Sequence, residues 1–413
     1  MATLHRHIIF SVCALLFLMS QFYRVSVGII SPRLMEDLGI DPEGLSLMSA
    51  VFFYAFALTQ IPLAIFLDKI GSRKIMGGLN LIGVSGAVMF AFSDSLLMLT
   101  LSRLMLGVGM SCNLMGTFKL ISRWFEPSRF ATLTTLMVSL GTAGALGATT
   151  PLALLVEALS WRSSFLIVAG SNLLLTVLFF TMVRDSPAGT DFQRLDAEAG
   201  GSFKEMISGL RELFLQKDYW IISLATLCRY GIVAAIQTLY AGLYLIKGKG
   251  LSPVSAGNIL FLMNIGMIMG GPVFGVVSDR ILKSRKQVVI AGLLGMSVIL
   301  MTMAVGSEHY TSGPLFFIFF LLGVFSSAGM VMFTHIKERM PPERAGASMT
   351  GINLFNMIGP AVFLQGLGVF IQRGNGNAVF GPDAFKNLFF VCAGTLGLVA
   401  ILYSMTTDSK KIR

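Results

Sequence analysis

Four cationic side chains stand in otherwise apolar stretches: Arg24 in Gln21-Phe22-Tyr23-Arg24, Arg103 in Leu101-Ser102-Arg103-Leu104, Lys119 in Phe118-Lys119-Leu120 and Arg229 in Leu227-Cys228-Arg229-Tyr230. A charge held away from water needs an opposite charge or well-placed dipoles beside it. These stretches carry no Asp or Glu at mid-length; the nearest acids, such as Glu36, Asp37 and Glu157, fall toward their ends. A guanidinium binds a carboxylate or a phosphate through two parallel hydrogen bonds. The chemistry these residues suggest is recognition of a small anion. A carrier of organic cations would need buried acids instead, and sugar–proton symport ordinarily needs a buried carboxylate. No nucleophile–base set and no metal-ligand cluster is evident, so neither an enzyme nor a metal site is expected. Cys13, Cys112, Cys228 and Cys392 are scattered through apolar runs without metal spacing and read as buried thiols. No phosphate-cradling G-x-x-x-x-G-K-[ST] loop is present, which argues against direct ATP coupling, and no cofactor is implied.

The elements that position these cations follow from composition. Of 413 residues 54% are apolar and 13% charged, about half the share of near 25% found in soluble domains. A membrane helix needs about 20 mainly apolar residues. Such runs occur near 8–30, 45–67, 75–93, 96–121, 131–156 and 163–183, and again near 219–246, 255–279, 287–306, 313–336, 345–372 and 386–406. The chain therefore reads as an all-α membrane protein of six plus six spans. Residues 1–183 form one six-helix unit and 219–413 the other. The polar segment 184–218 joins them, and its Phe203 to Phe214 stretch reads as a surface helix. The first run is too long, and lacks a small-residue cleavage site, to be a removed signal peptide.

Lys and Arg set the orientation. With the N-terminus inside, 21 of them fall in inner loops, the linker and the tails, and six in outer loops. Both termini and the linker are thus expected on the cytoplasmic side of the inner membrane. The net charge of +10 is a topology signal and implies no nucleic acid.

The halves share a motif after their second span. Asp68-Lys69-Ile70-Gly71-Ser72-Arg73-Lys74 matches Asp279-Arg280-Ile281-Leu282-Lys283-Ser284-Arg285-Lys286, with Gly275 four residues before the second Asp. Each is an acid at a helix end followed by a basic turn, suited to anchoring at an anionic leaflet and to bonding neighbouring helix ends. With Ser72 inserted and the leading Gly absent from the first copy, this resembles the signature of the major facilitator superfamily. Arg103-x-x-x-Gly107-x-Gly109, Trp124-Phe125-Glu126-Pro127 and Trp161-Arg162-x-x-Phe165 resemble further motifs of that family.

The resemblance implies two pseudo-symmetric six-helix bundles around a central cavity lined by helices 1, 4, 7 and 10. It implies a structural or coupling role for Arg103, Gly107 and Gly109, and an inner gate formed by Asp68, Lys69, Gly71, Arg73 and Lys74 with Gly275, Asp279, Arg280 and Arg285. Arg103, near the outer end of its span, is also placed to snorkel outward. Arg24 and Arg229 occupy equivalent helices, as do two arginines in the organophosphate and organic-anion branches, which the chain resembles. They are taken as substrate ligands, with Lys119 as a third cation. Tyr23 and Tyr230 adjoin the arginines, though neighbours on a helix point about 100° apart. Gln237, Tyr240, Asn264 and Asn356 are further candidates, and Asn353, Gln365 and His335 weaker ones. The expected function is secondary transport of a small organic anion, a carboxylate or phosphate ester, by proton symport or exchange. The partners are that solute, the bilayer and protons, and the chain is expected to act as a monomer. A polyspecific efflux transporter and a non-transporting membrane sensor are the alternatives.

Overall fold

The computed structural model describes residues 2–187, 214–306, 310–340, 345–374 and 382–408. Among them twelve helices are long and apolar enough to cross a membrane. They are α1 (His5–Val25), α2 (Pro42–Gln60), α3 (Ser72–Ala91), α4 (Leu96–Trp124), α5 (Pro127–Leu159), α6 (Trp161–Met182), α7 (Lys217–Gly248), α8 (Pro253–Ile281), α9 (Arg285–Gly306), α10 (Ser312–Arg339), α11 (Gly351–Arg373) and α12 (Asp383–Tyr403). No strand occurs among the described residues. The chain is a multi-pass membrane protein.

Local sequence sets several of these boundaries. The Asp41 carboxylate accepts from Gly44 N at 2.8 Å and Pro42 opens the helix, so α2 starts where an N-cap and a proline at the first position favour it. Ser252 followed by Pro253 does the same for α8. α1 breaks at Ser26 and resumes as Val27–Leu38, closed by Gly39 in the left-handed region (φ 63°). The helix of α2 runs on to Ile70, and Gly71 (φ 98°) makes the tight turn into α3, a conformation that side chains resist.

Contacts repeat between the halves. In the first, α1 packs on α5 and α6, α2 on α4, and α3 on α4 and α6; in the second, α7 packs on α11 and α12, α8 on α10, and α9 on α12. Two bundles therefore share one plan. They meet along two seams, α2 with α11 and α5 with α8. The starts of α1 and α7 and the ends of α4, α6, α10 and α12 lie at one end, here called the termini face. The His5 ring lies tilted against Trp124 (5.3 Å between centroids), the Trp124 indole donates to Arg184 O (2.9 Å), and Arg339 pairs with Asp218 (3.0 Å).

Several side-chain bonds join the bundles toward the far face. Tyr54 donates to Gln365 Oε1 (3.0 Å), Thr150 to Asn258 Oδ1 (2.7 Å), and Lys247 bonds Glu36. There the α1 extension meets α7 backbone to backbone: Gly28 abuts Gly242, with Gln237 and Thr238 carbonyls beside it. Two π-helical turns, Ile236–Tyr240 and Tyr244–Gly248, shape this end of α7, and a third, Val277–Ile281, ends α8. The far face is closed.

Candidate substrate-binding cavity

Between the bundles, on the termini side of that closure, lies a partly open cavity. Its polar wall is Gln21 and Arg24 of α1, Gln60 of α2, Ser111 of α4 and Asn353 of α11. Its apolar wall includes Phe17, Phe56, Leu114, Met115 and Met357. The lining comes from α1, α2, α4 and α11, which corrects the expected set of helices 1, 4, 7 and 10. α7 reaches the edge of this wall through the Tyr230 hydroxyl on Arg24, while its Arg229 bonds Ser326 of α10.

Arg24 stands at the head of the cavity, 7% exposed. Its Nη1 donates to the Tyr230 hydroxyl across the lobe boundary at 3.1 Å, and its guanidinium lies 4.9 Å from the Phe56 ring centroid. Both contacts hold a cation without neutralising it. Among the described residues Arg24 has no acidic partner. Acids within the spanning helices sit near their ends, as Glu43, Glu157, Asp218, Asp279, Glu338 and Asp383 do.

Arg229 is equally buried but differently directed. Its Nη1 donates to Ser326 O (2.9 Å), its Nη2 reaches Asn356 Oδ1 (3.5 Å), and its guanidinium rests against Gly329 of α10. Its other neighbour is the Tyr230 ring, 5.5 Å to the centroid. Tyr230 therefore sits between the two arginines, bonded to one through its hydroxyl and facing the other with its ring.

The remaining sequence candidates divide by surroundings. Tyr23 is fully buried inside the first bundle against Phe22 and Phe165, pointing away from the cavity, because its helical neighbour Arg24 takes the inward face. Lys119 is half-buried and donates to Leu67 O (3.0 Å) near the end of the α2 helix, outside the cavity lining. Tyr240 donates to Leu364 O (2.6 Å) within the far-face closure. Gln237 donates to Asn264, which donates to Leu260 O, so both amides tie α7 to α8. Asn356 serves Arg229, and Gln365 bonds Tyr54. His335 is enclosed near the termini face, bonded to Tyr403 (2.7 Å) and Thr407 O (3.1 Å). Gln21 and Gln60 line the cavity without having been singled out from sequence. Their spacing from Arg24 and Phe56 (three and four residues, one helical face) was the available signal.

The expected outward snorkelling of Arg103 is overturned. Its side chain is fully buried, Nη1 donates to Tyr23 O (2.7 Å) and the guanidinium packs 4.5 Å from the Phe52 centroid. It turns inward to α1, where the Tyr23 carbonyl accepts its hydrogen bond and the Phe52 ring packs against the cation. Gly107 and Gly109 lie where α4 touches the Phe52 carbonyl of α2 and Gly83 of α3, so a methyl at either position has no room.

In the repeated turns, Lys69, Arg73, Lys74 and Arg280 are exposed, and the Asp68 side chain lies outside the described residues, as does most of the Phe203–Phe214 stretch. Arg73 N donates to Asp185 (2.9 Å), and Arg285 bonds Glu338 (2.9 Å), Ser278 (2.8 Å) and Asp279. Gly275 faces open space. Each of these bonds stays within its own lobe. At the far face, the Lys247 ammonium beside Glu36 holds that carboxyl below its usual range.

Comparison with known proteins agrees with this geometry. Along 408 residues, 93% of each chain, the protein is 24% identical to the "Probable sulfoacetate transporter SauU" of Cupriavidus necator. It is 23% identical over 366 residues (81% of this chain, 79% of the relative) to the "Probable galactarate/D-glucarate transporter GudP" of Bacillus subtilis. Its fold matches the inward-facing, occupied crystal structure of a bacterial homologue of the human lysosomal transporter Spinster, with a TM-score of 0.76 at 15% identity, covering 97% and 96% of the two chains. The model of the Major Facilitator Superfamily matches residues 11–364 and 222–412, so the repeated contacts, the paired turns and the interlobe cavity have one explanation: the chain belongs to this superfamily of membrane transporters and is not an enzyme.

Proposed function

We propose that the protein is a secondary transporter that carries a small organic anion, a carboxylate or phosphate ester, by alternating access. The observation that carries this reading is Arg24, a buried guanidinium at the head of an interlobe cavity, held by a neutral hydroxyl and a ring and by no acid among the described residues. An anion entering from the termini side supplies the missing charge and bonds the guanidinium in place of Tyr230. Because Tyr230 belongs to the opposite lobe, that exchange of partners links occupancy to the lobe contact. The repeated basic turns support a cytoplasmic position for the termini face, with segment 184–218, in a bacterial inner membrane. Coupling is to protons or to exchange for a second anion, and a single chain holds the whole pathway. Relatives named for sulfoacetate and for galactarate and D-glucarate transport support the anionic class.

Uptake into proteoliposomes tests the assignment. Arg24→Gln is expected to abolish anion uptake at unchanged expression and thermal stability. Undiminished uptake by that variant overturns it.

A further inference from the structure

We infer that the cavity selects a monoanion whose remaining body is uncharged and hydroxylated, in preference to a dianion. The inference rests on the anion-transport reading above and refines it.

The cavity offers one cation. Arg24 is the charged residue of its lining, and the other two candidates are committed elsewhere: Arg229 to Ser326 O and Asn356, Lys119 to Leu67 O. Arg229 is also fixed by shape, since its guanidinium lies on Gly329 with the Tyr230 ring on another side. One carboxylate or sulfonate is therefore neutralised. A second at the other end of the molecule would lie against Phe17, Leu114, Met115 or Met357, where burial strips its water and returns no charge.

Two neutral polar groups are unspent. The Gln60 amide already donates to Ser111 O at 2.7 Å. Gln21 and Asn353 make no side-chain hydrogen bond among the described residues, are half-buried, and reach the cavity from opposite lobes. Amides both donate and accept, so they suit hydroxyls on a carbon chain. Unlike ammonium groups, they add no attraction for a second negative charge. The ligand so described has an anionic head on Arg24, hydroxyls between Gln21 and Asn353, and carbon against the apolar wall.

Matched pairs test this, each dianion being its partner with the terminal CH₂OH oxidised to carboxylate: D-galactonate with galactarate, glycerate with tartronate, isethionate with sulfoacetate. Calorimetric titration of the purified full chain measures affinity, with galactitol as the neutral control. The monoanion is expected to bind about tenfold more tightly within each pair that binds. Arg24→Gln is expected to remove that binding, and Asn353→Lys, which adds a cation opposite Arg24, to reverse the preference within the pair. Dianions that bind as tightly as their partners, with binding still lost in Arg24→Gln, overturn the monoanion inference and leave the anion reading standing. Galactitol binding as well as galactonate, binding that survives Arg24→Gln, or no binding by any of the six anions overturns both.

Discussion

Gly242 offers a direct handle on the far-face closure. A Cβ there meets the Gly28 carbonyl across the lobe boundary, with the Gly28 Cα at 3.2 Å. The opposing atoms are backbone, so no rotamer relieves the clash. α7 and the α1 extension must part by on the order of 1 Å to restore ordinary contact. Overpacking of this kind costs about 1–3 kcal/mol. The cost falls on the state closed at the far face and is absent once the lobes separate there. Gly242→Ala is therefore expected to shift the ratio of far-face-closed to far-face-open protein by about 5- to 150-fold. Spin labels at Leu97 and Asn387, exposed positions near the far face of either lobe, would report the shift as a longer distance population by double electron–electron resonance. Gly366→Ala, whose added methyl meets no atom within 4 Å, is the control and is expected to change nothing. An unaltered distance distribution in Gly242→Ala would refute the claim that this contact holds the closed state.

Other outcomes follow from neighbouring features. The Glu36–Lys247 pair should stabilise the closed far face fully above the ordinary glutamate pKa of 4.5 and lose its effect as pH falls through the depressed value, so acid or Glu36→Gln should lengthen the same label distance, modestly because the pair is half exposed. Arg103→Met removes a buried cation whose Nε and Nη2 have no hydrogen-bond partner among the described residues; it is expected to raise thermal stability by about 1–3 kcal/mol, and a fall in Tm would contradict the accounting. Gly329→Ala crowds the Arg229 guanidinium and is expected to cost about 1–3 kcal/mol in a denaturation assay, with no loss refuting the close contact.

The spans were legible because length and apolarity decide them, and Arg24 because a charge in such a run needs a purpose. Direction was harder to read. Arg24 and Arg229 sit alike in sequence, each next to a tyrosine, yet Arg24 turns to the cavity and Arg229 to Ser326 of α10. The difference depends on Gly329, 100 residues away, leaving room for a guanidinium. Arg103 was misread for the same reason: its partner is a backbone carbonyl of Tyr23, and carbonyls carry no sequence signature. Asp279 follows Arg229 by 50 positions, whereas Asp68 follows Arg24 by 44. π-helical turns in α7 and α8 take up part of that difference, since each accommodates an extra residue without ending the helix. No local pattern marked them.

The contact of Gly28 with Gly242 bears on leakage. A plug built from side chains opens whenever a rotamer flips, on picosecond to nanosecond timescales. Two main chains pressed together have no such freedom. Water and small ions can slip past only when a whole helix shifts, on the microsecond to millisecond scale, and a far face closed in this way therefore leaks little while the lobes stay together.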